Sequence, residues 1–180
     1  MKTEAEIIAQ TKKWISTVVA DCNFCPFVAK EIKQNTIHYQ VTENTDKEAC
    51  LQLFLQECIR LDEDKSIVTS LLIFSTGFQQ FDDYLDLVEL AEALIENNNY
   101  EGVYQVASFH PQYIFGGAPV NDAANYTNRS IYPMLHLLRE EQIEMALEKY
   151  PHPEGIPDNN INFAREKGVQ YMQMLRDACL

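Results

Sequence analysis

The sequence predicts an α/β or α+β domain, with a small three-to-four-stranded sheet, crossover helices and a helical C-terminal third. Between residues 36 and 109, three strand-like stretches alternate with two stretches of helical spacing, an order typical of right-handed crossovers and a parallel core. An antiparallel, ferredoxin-like sheet has the same order of elements and stays open. The chain of 180 residues is 46% hydrophobic, so one domain over residues 1–180 can bury a core without disulfides or metals.

The N-terminal segment carries apolar residues at helical spacing, which predicts a first helix from Thr3 to about Val19. A polar break follows it. Pro26 suits the first position of a new helix, because its fixed φ and missing N–H cost nothing there. We therefore expect a second, short helix from Pro26 to about Gln34.

Three strands and two helices are predicted between residues 36 and 109. Thr36 to Val41 alternates between apolar and polar residues, as an edge strand does. Ser66 to Phe74 is an almost continuous apolar run, which indicates a central strand covered on both faces. Val103 to Phe109 is the third strand. The stretches between them, Asp46 to Leu61 and Phe81 to Ile95, have helical spacing.

The C-terminal third is predicted to be helical. Tyr132 to Tyr150 is interpreted as one helix with Pro133 in its first turn, ended by the prolines that follow. A further helix starts near Asp158, and Gly168 is suited to terminate it.

Composition limits the partners and the compartment. A formal charge of −13 repels phosphate backbones and anionic membrane surfaces, so we expect neither nucleic acid nor a membrane as partner. The N-terminus lacks a signal-peptide pattern and no apolar run is long enough to span a bilayer, which predicts a cytoplasmic protein. The five cysteines are irregularly spaced, and we expect free thiols.

The polar residues that carry chemistry concentrate between residues 107 and 140. In parallel sheets, ligands bind beyond the carboxyl ends of the strands. His110, directly after the third strand, and the turn that begins at Ser75 would both lie there. The Gly- and Asn-rich loop from 110 to 128 would then cover the site.

Three motifs carry a resemblance to a known family. They are Cys25-Pro-Phe27, Phe109-His-Pro-x-Tyr-x-Phe115 and Asn128-Arg-Ser-x-Tyr-Pro-x-x-His-Leu-Leu-Arg-Glu140. With them, the chain resembles the domain of unknown function 1415 family from Trp14 to the Ile156–Pro157 region. The family usually has proline where this chain has Ile131 and alanine where it has Val28, and Cys22 is not part of its pattern. The resemblance implies no particular reaction.

Cys25 is a candidate nucleophile. Directly before Pro26 at a predicted helix start, its sulfur would lie near unpaired backbone N–H groups that favour the thiolate. The alternative is a small apolar residue packed under Phe27. A redox pair with Cys22 is a weaker interpretation, because thioredoxin-type motifs follow a strand and this one follows a helix.

His110 and His136 are candidate acid–base residues. His110 could act as a general base or metal ligand, or it could hydrogen-bond the loop and hold it shut. His136 and Glu140 are four residues apart, so on a helix they would share a face and could bind one ion or hydrogen-bond each other.

Arg129 is a candidate fork for a carboxylate or phosphate, and we assign Ser130, Asn128 and Tyr113 to substrate binding with it. Ser130 and backbone amides at a helix start would add to an anion pocket. The alternative is helix capping by Asn128 or Ser130, with Arg129 paired to an acidic residue and Tyr113 in the core or pocket wall.

The leading hypothesis is a small cytosolic enzyme that acts on a small anionic metabolite by Cys/His acid–base or nucleophilic chemistry, with Cys25, His110 and His136 as catalytic residues. One alternative is a metal-dependent hydrolase that uses His110, His136 and Glu140. Another is a non-catalytic domain that binds a small ligand.

Overall fold

A four-stranded mixed sheet separates two layers of helices in the computed structural model, which describes residues 2–180. The helices are α1 (Glu4–Trp14), α2 (Val28–Gln34), α3 (Lys47–Glu63), α4 (Phe81–Asn97), α5 (Glu140–Glu148), α6 (Ile156–Lys167) and α7 (Val169–Asp177). The strands are β1 (Ile37–Thr42), β2 (Thr69–Phe74), β3 (Tyr104–Phe109) and β4 (Met134–Arg139). The predicted class is confirmed as α+β, with a largely helical C-terminal part.

The strands lie in the order β1-β2-β4-β3. β1 pairs with β2 in parallel, and β4 pairs antiparallel with both β2 and β3. The first three strands therefore run in the same direction, as the crossovers predict, but β4 is inserted between β2 and β3. The sheet is therefore mixed, and it combines the parallel pairing that the crossovers favour with the antiparallel pairing that the sequence left open. All six residues of β2 are buried, which confirms it as a central strand, and β1 is confirmed at an edge.

The prediction of one helix from Tyr132 to Tyr150 is wrong in its first half. Residues Met134–Arg139 form β4, and only Glu140–Glu148 is helical. Because β4 is covered on both faces, its apolar residues do not alternate with polar ones, and a short run of this kind resembles a buried helix. His136 and Glu140 consequently do not share a helix face.

Two apolar layers stabilise the sheet. α3 and α4 cover one face around Phe54, Leu72 and Leu135. The N-terminal helix, α6 and α7 cover part of the other face around Trp14, Leu71 and Met134. The part of that second face left by these helices is covered by α2 and α5.

The N-terminal helix begins at a capping box formed by Thr3 and Glu6, and it continues beyond Trp14 as a π-helical segment, Ile15–Ala20. α2 then begins at Val28, two residues later than Pro26 predicts, and its first turn has no side-chain cap. Within residues 2–180, no helix combines the length and the apolar character needed to cross a lipid bilayer.

Candidate functional site: a cavity between the sheet and two surface helices

A cavity of about 720 Å³ lies between the sheet and the helices α2 and α5. This volume is in the range of small-molecule sites. Its floor consists of side chains on one face of β2, β3 and β4: Thr69, Leu71, Gln105, Ala107, Phe109, His136 and Leu138. Trp14 and Ile15 form one wall, the segment from Cys25 to Glu31 a second, and α5 a third.

The cavity exists because two helices stand over the sheet without packing onto it. Neither α2 nor α5 has a buried residue, whereas each of the other five α-helices has at least one. On β3 the side chain below them is the small Ala107. The apolar face of α5, with Ile143 and Ala146, borders open space instead of a filled core.

His136 lies in the middle of the floor, between Leu71 on β2 and Ala107 on β3. Its Nε2 is 2.6 Å from the Thr69 hydroxyl, which is also 2.6 Å from the Leu137 carbonyl oxygen. The carbonyl can only accept, so the hydroxyl donates to it and accepts from Nε2–H. The imidazole is therefore the Nε2–H tautomer, with an unprotonated Nδ1.

Nδ1 of His136 makes no hydrogen bond to residues 2–180, and it is not among the fully enclosed unpaired atoms, so it borders the cavity. Burial lowers the pKa of His136 to about 4, because protein surrounds the ring and no anion balances a charge there. At neutral pH the floor of the cavity thus carries a neutral imidazole with a free lone pair.

Cys25 lies on the same cavity, at the turn between the π-helical segment and α2. It is partly exposed, whereas the other four cysteines are buried, and all five are free thiols. Burial raises the pKa of Cys25, and the backbone N–H groups of Phe27 and Val28 oppose this only in part. The expected thiolate is thus not favoured, because α2 starts at Val28 and the sulfur is desolvated.

His110 lies outside this cavity. It is fully buried at the end of β3, where its ring contacts the rings of Phe81 and Tyr84. Its Nε2 is 2.9 Å from the Phe78 carbonyl oxygen, and its Nδ1 accepts from the Gln112 N–H at 3.0 Å. Both nitrogens are therefore occupied, and the residue links the end of β3 to the segment after β2, at the strand edge where the sequence predicts it.

Arg129 also has local partners, and so have the residues assigned with it. Its guanidinium donates to the carbonyls of Tyr113 and Val120 and lies over the Tyr126 ring. Asn128 donates to the Ser108 carbonyl, and the buried Ser130 hydroxyl donates to the Tyr132 carbonyl. These groups hold the 110–128 loop against β3, and none of them lines the cavity.

The metal alternative lacks a ligand set. His136 is on β4, Glu140 begins α5, and both nitrogens of His110 are hydrogen-bonded. Across residues 2–180, no three His, Cys, Asp or Glu side chains are arranged to hold a metal ion.

Sequence reasoning missed several residues of the cavity. Thr69, which orients His136, looks like any β-branched strand residue. Lys30 and Lys149 are exposed lining residues and therefore mark the mouth, but in the sequence they are ordinary surface lysines. Arg139 lines the cavity as well, and its guanidinium donates to the carbonyl of Leu61, in the last turn of α3, and to that of Ile67, between α3 and β2.

Comparison with known proteins gives one match. A family model described as "Protein of unknown function (DUF1415)" matches residues 6–174. A search of curated proteins and a search of solved structures each found no match.

Proposed function

This chain belongs to the domain of unknown function 1415 family, whose description names no reaction, so we propose its function from the cavity. The proposed function is that of a small cytosolic enzyme, which binds a small anionic metabolite and acts on it with Cys25 and His136. One observation carries the proposal. A thiol and an imidazole from distant parts of the chain line the same cavity.

In the proposed reaction, His136 is the general base. Its Nδ1 takes a proton from Cys25 or from the ligand, while Thr69 keeps the ring oriented through Nε2–H. The low pKa makes His136 a weak base in the empty cavity. Transfer of the proton from Cys25 leaves a thiolate, whose negative charge favours the imidazolium.

His110, Arg129, Asn128, Ser130 and Tyr113 have a supporting role in this proposal. The side chains of His110, Asn128, Arg129 and Ser130 hydrogen-bond to backbone groups, and the Tyr113 carbonyl accepts from Arg129. We expect their replacement to change stability more than chemistry.

An activated acyl ester, p-nitrophenyl octanoate, tests the thiol and the imidazole together. The Cys25 sulfur bonds to the acyl carbon, the ester C–O bond breaks, p-nitrophenolate leaves, and the thiol proton goes to His136. We expect an acyl thioester on Cys25 by mass spectrometry. Cys25→Ser and His136→Gln should each lower the rate at least about 100-fold, the range of acid–base catalysis.

His152→Gln is the control, because His152 is exposed and does not line the cavity. It should react like the wild-type protein. Equal acylation of the wild-type, Cys25→Ser and His136→Gln proteins would refute the catalytic role of both residues.

Non-catalytic binding of a small ligand is the second candidate. It is favoured by the protonation states: at neutral pH the thiol is protonated and the imidazole neutral, so the empty cavity holds no activated group. Tight ligand binding without any acylation of Cys25 would support this alternative.

A further inference from the structure

We propose that the ligand of this cavity is an amphipathic carboxylate, with an extended apolar body on the sheet and its anionic group at the mouth beside Lys30 and Lys149. This inference rests on the proposed function, because it names the class of ligand for the same cavity.

The interior of the cavity suits an apolar body. Apolar side chains from the sheet, from the N-terminal helix and from α5 make up most of its surface. The polar groups on the floor carry no charge at neutral pH: the Thr69 hydroxyl is already hydrogen-bonded, Gln105 is an uncharged amide and His136 is neutral. An ionic group placed on this floor would lose its hydration without gaining an opposite charge.

The two surface helices give a second reason. α2 and α5 bury no residue of their own, although the apolar side chains of Val28, Ile143 and Ala146 border the cavity. An apolar ligand would give these side chains the packing partner that the sheet does not supply. Phe27 and Tyr150 meet edge-to-face at 5.7 Å and connect the two helices at one side of the opening.

The mouth has the opposite charge from the rest of the protein. Of its charged residues, Glu31 is balanced by Lys30 at 3.5 Å and hydrogen-bonded by Thr36, and the Arg139 guanidinium is held by backbone carbonyls. Lys149 has no ion pair with any residue from 2 to 180. Three cations and one carboxylate thus line the cavity of a chain with a net charge of −13.

Calorimetric titration with octanoate, 1-octanol and octylamine tests the charge. The negative net charge of the protein favours the amine, whereas the cations at the mouth favour the carboxylate. The order of affinities therefore shows which of the two electrostatic effects dominates in the cavity. We expect octanoate to bind most tightly, and its advantage over octanol to shrink when NaCl rises from about 50 mM to about 500 mM.

Chain length tests the apolar body. Each methylene added from hexanoate to decanoate should tighten binding about fourfold, the value for burying a methylene group. An affinity that does not depend on chain length would overturn the proposal.

The double variant Lys30→Ala/Lys149→Ala should weaken octanoate about fivefold and leave octanol unchanged. Its matched control is Lys33→Ala/Lys65→Ala, which removes the same charge from residues that do not line the cavity. Equal weakening by both double variants would show a general charge effect and refute the role of the mouth.

A tryptophan in place of Ala146 locates the ligand. Ala146 borders the cavity on a helix without buried residues, so Ala146→Trp should fold and block octanoate. Glu144→Trp, on the exposed side of the same helix, should bind normally. Octanoate binding that survives Ala146→Trp would overturn the proposal.

The same titrations keep this inference separate from the proposed enzyme. Tight octanoate binding with no acylation of Cys25 supports the ligand class and refutes the catalysis. Acylation of Cys25 together with tighter binding of octylamine than of octanoate would support the catalysis and refute the ligand class.

Discussion

His136 is held in one tautomer by Thr69, and its low pKa fixes how its contribution to stability changes with pH. The unfolded chain takes up the proton near pH 6.5, but the folded protein takes it up only near pH 4. Stability due to this residue is therefore lost as the pH falls between these values, by about 3 kcal/mol in total.

Urea unfolding at neutral pH and near pH 4 measures this effect. His136→Gln keeps a donor for Thr69 but does not titrate, so the wild-type protein should lose more stability on acidification than the variant. His110, whose pKa is also lowered by burial, is present in both proteins and cancels in the difference. Parallel pH profiles would contradict the assignment.

Cys25 is the only partly exposed thiol of the five cysteines. Because burial raises the pKa of Cys25, we expect iodoacetamide to label it slowly at pH 7 and faster as the pH approaches and passes 9. Octanoate should protect it. Mass spectrometry of the labelled protein identifies the site, and preferential labelling of any other cysteine under native conditions would contradict this prediction.

His110 should be a stability residue. His110→Ala removes a buried ring and leaves the Phe78 carbonyl and the Gln112 N–H without their partner, so we expect a loss of about 2–4 kcal/mol by urea unfolding. Calorimetry under native conditions should show unchanged octanoate affinity. A folded variant that no longer binds octanoate would instead place His110 in the site.

The sequence predicted part of the candidate site. The motifs around Cys25 and His136 drew attention to two residues that do line one cavity. Motifs cannot show which side chains face a cavity and which bind backbone carbonyls, because that depends on strand pairing and on packing between distant segments. Arginine and histidine are common in active sites, but here the side chains of Arg129 and His110 hydrogen-bond to backbone carbonyls.

At the scale of elements, α5 should be less protected than the helices that bury residues. It buries no residue, and Arg139 at its N-cap provides no side-chain hydrogen bond to it. Amide hydrogen exchange should be faster in α5 than in α4, which buries four residues. Octanoate should slow exchange in α5 and leave α4 unchanged. Equal protection of both helices without ligand would contradict this expectation.

The elements that the sequence predicted well are those with a clear period. β1 alternates, α3 and α4 repeat apolar residues at helical spacing, and all three were placed within two residues of their observed bounds. β4 was missed because its surroundings, not its pattern, make it a strand. It pairs with β2 on one edge and with β3 on the other, and its apolar residues do not alternate with polar ones.

At the scale of the molecule, the net charge of −13 is spread over a chain that also places cations at one opening. Self-repulsion of the acidic surface destabilises the compact state, and salt screens it. The midpoint of thermal unfolding should therefore rise between about 20 mM and about 200 mM NaCl. A falling midpoint would mean that attractive ion pairs outweigh the repulsion.

The central position of β4 has a consequence for biosynthesis. During translation, the chain emerges with β2 and β3 long before the strand that joins them, so each has an open edge able to pair with other chains. The sheet can close only when residues 134–139 have left the ribosome. A nascent chain stalled before that point should depend on chaperones, and a messenger truncated there should yield aggregates.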